Sequence, residues 1–405
     1  MKGRSPWVIL GLLWVAFAIN YLDRQMIFSM YPLLRRDLGF TDQQLGLIGT
    51  VFLWVYSLSM PLTGKLADRV RKDRVIIASI VLWSFATLGT GFSTSVGQLL
   101  FWRVAMGISE AMYIPAALGL LAAVHGASNR SKALAIHQSA QFAGVIAGGW
   151  YGGWTADNLG LRNGFLLAAM IGWIYTLVLI AGIRNQDAAR PVEVEIQAEH
   201  AGGLLSRGFL ALAAAFFLIC SLIWIFYAWL PNMLYERFGL SMTESGFTAT
   251  MFYQIGSATG VLIGGVLGDR LISRYPAARL RIVAAGLILA APFAFFAFSQ
   301  PTLIRAGLCA AGFGLFQGLM VANVFASVYD LVPHSQYSFS AGVMNMAGGL
   351  ASGAAILMAG MMKSTIGIPA LLQMISVCAV VSAIVLWATT LRKVVPPVGA
   401  RKVVA

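Results

Sequence analysis

The chain reads as an all-α polytopic membrane protein of twelve transmembrane helices arranged as two related sets of six. Three observations predict this. First, 59% of its 405 residues are hydrophobic and only 11% are charged, with a mean hydropathy of +0.79. Soluble domains run near about 45–50% apolar and about 25% charged, so this excess has no water-soluble core to occupy and the bilayer must be its solvent. Second, apolar runs of spanning length, about 20 residues each, recur along the whole chain. Third, stretches of the first half reappear about 200 residues later.

Apolar runs broken by charges and turn residues place six spans near 6–33, 44–67, 74–93, 97–123, 132–156 and 162–183. A second six lie near 207–235, 244–272, 279–298, 303–330, 337–362 and 367–391. Between the sets runs the one sustained polar segment, 184–206, holding Asp187, Glu193, Glu195 and Glu199. The expected organisation is therefore an N-terminal bundle over 1–183, a cytoplasmic linker over 184–206 and a C-terminal bundle over 207–405. The start, with Lys2, Arg4 and Ala16-Phe17-Ala18, has the outline of a secretory signal. Apolar character resumes after Asn20-Tyr21-Leu22-Asp23-Arg24, so it reads as an uncleaved first span.

Most of the 28 Lys and Arg residues fall on one side if the N-terminus is inside. The clusters are Lys65 to Arg74, Arg130 with Lys132, Arg270 to Arg281, and Arg392 to Lys402. The rule that short cytoplasmic loops are basic then puts both termini in the cytoplasm of a plasma (inner) membrane protein. The net charge of +13 reports topology and contact with anionic lipid rather than nucleic acid. Cys220, Cys309 and Cys378 are far apart in apolar runs, which excludes a disulfide framework. The four histidines lack metal-ligand spacing, and no G-x-x-x-x-G-K-[ST] loop is present for ATP. No metal or cofactor is expected.

The repeat is explicit. Leu38-Gly39-Phe40-Thr41-Asp42-Gln43-Gln44-Leu45-Gly46 returns as Phe238-Gly239-Leu240-Ser241-Met242-Thr243-Glu244-Ser245-Gly246. Gly64-Lys65-Leu66-Ala67-Asp68-Arg69 returns as Gly265-Val266-Leu267-Gly268-Asp269-Arg270. Six spans bring the chain back to the same side, so the halves are parallel copies, an architecture of carriers with a site between the repeats.

On these residues the sequence resembles the major facilitator superfamily over essentially its whole length. That family's G-x-L-A-D-R-x-G-R-K loop stands here as Gly64 to Lys72, with Arg71 near the family's glycine. Within the superfamily it is most similar to the anion:cation symporters, the group of sugar-acid, carboxylate and sialin-like carriers. The features are Asn20-Tyr21-x-Asp23-Arg24, Phe52-x-x-x-Tyr56, Gly107-x-x-Glu110-Ala111, Trp229-Leu230-Pro231 and Gly342-x-x-Asn345-x-x-Gly348. Spinster-like lysolipid carriers share the first and third of these and stay as the competing subfamily. Gly144-x-x-x-Gly148-Gly149-Trp150-Tyr151-Gly152-Gly153 has the spacing of a drug-antiporter motif, with Gly149 in place of its proline. Close helix packing through small residues explains these glycines without a function. The resemblance implies proton-coupled symport of an organic anion by alternating access, performed by a monomer that is not an enzyme.

A charge at bilayer depth costs at least about 2.5–3.5 kcal/mol, so Asp23, Arg24, Arg103 and Glu110 each need a reason. Asp23 and Arg24 are adjacent and diverge by about 100° on a helix, so neither is the other's sole partner. Arg24 presents a planar fork suited to a carboxylate and is expected to grip the anion. Glu110 and Asp23 are expected to carry the coupled proton. Arg103, two helical turns before Glu110, is read equally as a substrate contact and as a structural or snorkelling residue. Further substrate contacts expected are Tyr21, Tyr56, Gln138 and Gln141 in the first half and Tyr253, Asn323 and Asn345 in the second. His137 is read as a satisfied hydrogen-bonding group before a proton carrier. Trp224, Tyr227 and Trp229 are read as lipid-belt or core residues. Asp68 with Arg69, and their copies Asp269 with Arg270, are expected to gate conformation, with Asp68 accepting bonds from the next helix's amides and nearby arginines.

Overall fold

The computed structural model describes residues 5–183, 204, 206–275, 277–333 and 336–391. Most of the expected linker, 184–206, lies outside them. The described residues form fourteen helices. The first half holds α1 (Pro6–Ser29), α2 (Tyr31–Leu38), α3 (Asp42–Arg69), α4 (Lys72–Gly91), α5 (Val96–Ala111), α6 (Tyr113–Val124), α7 (Ala127–Asn158) and α8 (Gly160–Ile183). The second holds α9 (Arg207–Phe238), α10 (Met242–Ile272), α11 (Ala278–Ala297), α12 (Leu303–Leu331), α13 (Tyr337–Met362) and α14 (Gly367–Leu391).

Taking α5 and α6 as one broken span and setting the short α2 aside, these are the twelve expected spans of an integral, multi-pass membrane protein. Eleven are apolar enough to be recognised on composition alone. The twelfth, α7, is diluted by polar residues including His137, Gln138 and Gln141. We refer to the end of the first bundle at which α1 starts as basal and to the opposite end as apical.

The repeat extends to backbone detail. Gly39 and Gly239 both take left-handed φ, 68° and 64°, after α2 and α9, and Gly160 and Gly367 do so, at 75° and 81°, as the first residues of α8 and α14. A residue with Cβ is strained there. The next helices start with matching capping boxes. Thr41 and Gln44 bond each other's backbone amides at 3.3 and 2.9 Å, and Ser241 and Glu244 do the same at 3.1 and 3.0 Å, covering amides that a helix start leaves free.

Two prolines shape the interior. Pro115 has no N–H to give Ala111 four residues back, and the span breaks at Met112 into α5 and α6. The freed Ala111 carbonyl accepts instead from Thr63 Oγ1 of α3 at 2.9 Å. Pro231 inside α9 likewise frees the carbonyl of Tyr227, which accepts from Gln25 Nε2 of α1 at 3.0 Å. In lipid an unmet backbone carbonyl costs several kcal/mol, so a side chain from another helix fills each gap.

Lipid supplies no hydrophobic drive between spans, and close approach through small residues does that work. On α7, Gly144, Gly148 and Gly152 lie against the α1 backbone at Ala18, Leu22 and Met26, while Gly149 and Gly153 lie against α10 at Gly246 and Met242. This is the packing role the sequence assigned them. Between α10 and α12, Gly256, Gly260 and Gly264 face Ala311, Leu315 and Leu319 in the same way.

Packing divides the chain into two compact units that cut across the expected halves. One gathers the first half together with Trp224–Met251 and Ser352–Gly367, and the other gathers the remainder of the second half. The reason is visible inside the first unit, where the apical ends of α9, α10 and α13 pack on the first bundle. Beside the α7–α10 glycine contacts, Gly46 and Gly49 of α3 meet Ile356 of α13, and Gly360 meets Asp42.

Candidate functional site

The interior of the first bundle holds the charges singled out by sequence. Glu110 ends α5 just before the Met112 break and is completely buried. Its Oε2 accepts from Arg24 Nε at 2.5 Å, and Arg24 is 5% exposed. The guanidinium lies among three rings, 4.3 Å from the centroid of Tyr56, 5.0 Å from Tyr21 and 5.1 Å from Phe52. Cation–π attraction strengthens on desolvation, so the rings replace part of the lost water and hold the guanidinium plane. Tyr21, Arg24, Tyr56 and Glu110 are thus brought into one constellation.

Asp23 turns away from Arg24, as the helix period requires. It is 1% exposed, and its Oδ2 accepts from Thr87 Oγ1 of α4 at 3.4 Å. Arg103 does not snorkel. It is 2% exposed, its Nη1 contacts Met106 Sδ at 3.4 Å, and it feels the charges of Glu110 and Asp23. As the two-turn spacing anticipates, Arg103 and Glu110 are not hydrogen-bonded to each other.

The surroundings of these residues are incompletely satisfied. Asp23 Oδ1, Arg24 Nη2, Arg103 Nε and Nη2, Glu110 Oε1 and both amide atoms of Asn20 are buried without a hydrogen-bond partner. Each such group carries a desolvation cost of about 1–3 kcal/mol or more. Donors and acceptors left open beside an ion pair form a site able to exchange partners.

The remaining expected residues are distributed differently. His137 is fully buried, stacked on Phe17 at 4.7 Å, with Nε2 3.3 Å from Tyr113 Oη. Tyr113 Oη gives its hydrogen to the Leu13 carbonyl at 2.7 Å, so Nε2 carries the proton and donates to it. Its Nδ1 is buried without a hydrogen-bond partner, so only one of the two ring nitrogens is satisfied. Gln138 is exposed and Gln141 half-buried on α7. Tyr253, Asn323 and Asn345 belong to the other unit. Tyr253 is buried and stacks on Phe313 at 5.7 Å. Asn323 Nδ2 is spent on the carbonyls of Gly264 and Leu319 at 2.8 and 3.1 Å, tying α12 to α10. Asn345 is exposed, and its Nδ2 donates to Ala341 O at 3.1 Å.

The two gate loops differ, which corrects the expectation for Asp68. Among the described residues Asp68 and Arg69 make no hydrogen bond or ion pair, and both are exposed. Arg71 instead pairs with Asp73, at 2.8 and 3.2 Å, and Asp73 is 1% exposed. The physical reason is helix polarity. Asp73 sits in the first turn of α4, whose free amides favour an anion, whereas Asp68 sits in the last turn of α3, beside carbonyls that do not. In the second copy, Arg279 reaches Asp269 at 3.5 Å and Asp330 at 3.3 Å, an ion-pair cluster within the second half, with Arg270 exposed beside it.

Sequence reading missed two features. The first is the part played by the Tyr227 backbone: the side chain lies in the core, as read, at 6% exposed, while its carbonyl accepts from Gln25 Nε2. The signal was Pro231, which frees a carbonyl four residues earlier. The second feature is an apical cluster of Arg35, Asp42, Glu236 and Lys363, two members of which stand in or next to the repeated loops.

A twelve-span bundle with a buried, partly open ion pair beneath aromatic rings defines a membrane carrier rather than an enzyme. The Major Facilitator Superfamily model matches residues 13–356, and the chain belongs to that family. Among its relatives is a D-galactonate transporter of Escherichia coli O6:H1, 24% identical over 410 residues that cover 94% of this chain and 95% of that protein. A probable galactarate/D-glucarate transporter, GudP of Bacillus subtilis, is 27% identical over 386 residues, 87% of this chain and 84% of that one. Protein spinster of Drosophila melanogaster is 28% identical over 309 residues, 72% of this chain and 50% of that one. The fold is shared with a bacterial homolog to the human lysosomal transporter Spinster in an inward-facing, occupied conformation. The TM-score is 0.82 at 18% identity, covering 96% of this chain and 98% of that one.

Proposed function

We propose that the protein is a secondary active carrier that moves an organic anion, a sugar acid or small carboxylate, together with protons by alternating access. The observation that carries this reading is the buried Arg24–Glu110 pair, 2.5 Å long and roofed by Tyr21, Phe52 and Tyr56. Arg24 is permanently charged. While Glu110 is ionised it holds Arg24 Nε, and an arriving carboxylate must compete for the guanidinium. Protonating Glu110 removes that competitor, so proton and anion are taken up together. Asp23, about 100° around α1 from Arg24 and bonded to Thr87, passes on the same proton during the cycle. Arg103, with Nε and Nη2 unbonded, balances the charge between the two acids or meets a second anionic group.

The naming of the relatives as galactonate and galactarate/glucarate transporters supports the sugar-acid class. Gln138, Gln141, Tyr253 and Asn345 are the neutral contacts proposed for its hydroxyls. Asn323, with both amide hydrogens on backbone carbonyls, acts in packing. The carrier sits as a monomer in the plasma (inner) membrane with both termini cytoplasmic, so that the apical end faces outward. The chain is organised as bundles 1–183 and 207–405 joined by 184–206, and the loops at Asp68–Arg69 and Asp269–Arg270 gate its basal side.

The test is counterflow and pH-driven uptake in liposomes holding the purified full-length protein, with galactonate, galactarate and glucarate as probes. Uptake stimulated by an acidic exterior supports the reading. Movement of a lysolipid with none of the acids would replace it with the spinster-like one, and an absence of movement for all four would refute both.

A further inference from the structure

At the apical end four side chains, from three helices and the turn after α13, close a ring. Arg35 of α2 pairs with both Asp42 of α3 and Glu236 of α9. Lys363, in the turn just after α13, pairs with the same two acids, at 3.2 and 2.7 Å. One oxygen of each acid, Asp42 Oδ1 and Glu236 Oε1, bridges both cations, so charges alternate around the ring and cancel. Its members are 18–34% exposed. Beneath it Trp229 packs on Tyr31 at 5.3 Å and donates to the Ile356 carbonyl at 3.3 Å.

The partition of this ring between the repeats matters. Arg35 and Asp42 both belong to the first half of the sequence, and Glu236 and Lys363 both to the second. Cutting the ring between halves breaks Arg35–Glu236 and Lys363–Asp42, yet leaves Arg35 with Asp42 and Lys363 with Glu236. No charge is left bare, and each separated lip is neutral.

A second apical contact joins α7 to the start of α10. Asp157 at the end of α7 accepts from the amides of Met242 and Thr243 at 3.2 and 2.8 Å and from Thr243 Oγ1 at 2.5 Å. The start of α10 keeps its own Ser241–Glu244 box when Asp157 leaves.

We propose that Arg35, Asp42, Glu236 and Lys363 form a partner-exchanging latch that closes the apical mouth and opens without exposing an unpaired charge. The proposal rests on the alternating-access reading but not on any substrate. A half-exposed ion pair contributes little singly, so the latch tunes the balance between closed and open states rather than locking one. Each neutral lip leaves an entering anion neither repelled nor trapped.

The experiment measures that balance directly. Spin labels at the exposed Gln43 and Thr365, on the two sides of the α3–α13 contact, are placed in a chain whose three cysteines are replaced by alanine. Distances are read by double electron–electron resonance in liposomes without substrate. Lys363→Met should raise the ratio of separated to close distances by about two- to fivefold, the effect of losing about 0.4–1 kcal/mol of surface pairing. Lys363→Arg should stay near the parent, and added salt should raise the ratio in the parent more than in Lys363→Met. Unchanged distances in a folded Lys363→Met protein would overturn the latch. So would a shift that Lys363→Arg fails to reverse, because the chain's packing and not its charge would then be responsible. Because no substrate is present, a failure of sugar-acid transport leaves this measurement standing, and a failure of the latch leaves the transport assay standing.

Discussion

Replacing Glu110 by glutamine separates binding from coupling. The side chain keeps its volume and one oxygen to accept from Arg24 Nε, so the buried constellation with Tyr21, Phe52 and Tyr56 should persist. What is lost is the charge that competes with substrate and the ability to carry a proton. A carrier moving one proton with each anion concentrates substrate about tenfold for each unit of pH difference, since one unit is worth about 1.4 kcal/mol. In the parent, each pH unit above the midpoint of the Glu110 carboxyl should weaken anion affinity by up to about tenfold, because binding is linked to proton uptake and grows as pH falls. Glu110→Gln should bind with an affinity independent of pH through that site, retain exchange between the two faces of a liposome, and bring accumulation under a pH gradient to about one. The assay is paired counterflow and gradient-driven uptake of a sugar acid, with binding measured at several pH values. Accumulation by Glu110→Gln at about tenfold per pH unit would refute the coupling role and move it to Asp23.

Other outcomes follow from particular contacts. Arg24→Lys keeps the charge but not the plane stacked among three rings or its paired N–H donors, so uptake should fall at least about tenfold while the protein stays folded; parental kinetics would remove Arg24 from the site. Thr63→Val leaves the Ala111 carbonyl beyond Pro115 without its donor and should cost about 1–3 kcal/mol, read as a lower melting temperature in detergent. Gln25→Leu should do the same through the Tyr227 carbonyl and should also slow transport, because this bond joins α1 to α9; the split between stability and turnover is the measurement.

The outline of the fold was open to sequence reading because lipid makes the rule simple. Spans must be apolar and long, and the expected boundaries agree with the helices to within a few residues at most ends. The exceptions have local causes. The break at Met112 follows from Pro115, and α2 separates from α1 at Met30 just ahead of Pro32. Arg24, Asp23 and Glu110 stood out because a buried charge is costly, and that argument does not depend on packing. It has no equivalent for neutral groups. Asn323 reads like a substrate contact until its backbone partners are seen, and the bond to the Tyr227 carbonyl goes unnoticed until a proline four positions on is considered together with Gln25. Asp68 and Asp73 are both acids near a helix end, and only the direction of the helix decides which one the arginine holds. The ring at Arg35 escaped notice because charges in short loops look like ordinary solvated ones.

The two glycine faces of α7 imply different degrees of freedom for one helix. Gly144, Gly148 and Gly152 press on α1, and a Cβ at any of them would fall on the Ala18, Leu22 or Met26 backbone. Gly149 and Gly153 press on α10 just where Asp157 touches its start. Smooth backbone against smooth backbone has no interlocking side chains that must change rotamer before one surface glides over the other. The α1 face extends over just more than two helical turns and acts as a weld, whereas the α10 face is two glycines long and ends in an exchangeable cap, which makes it a bearing. A side chain added at Gly152 would meet the Met26 backbone and one at Gly149 the Gly246 carbonyl, so neither face admits a Cβ, and what separates them is length and the exchangeable cap.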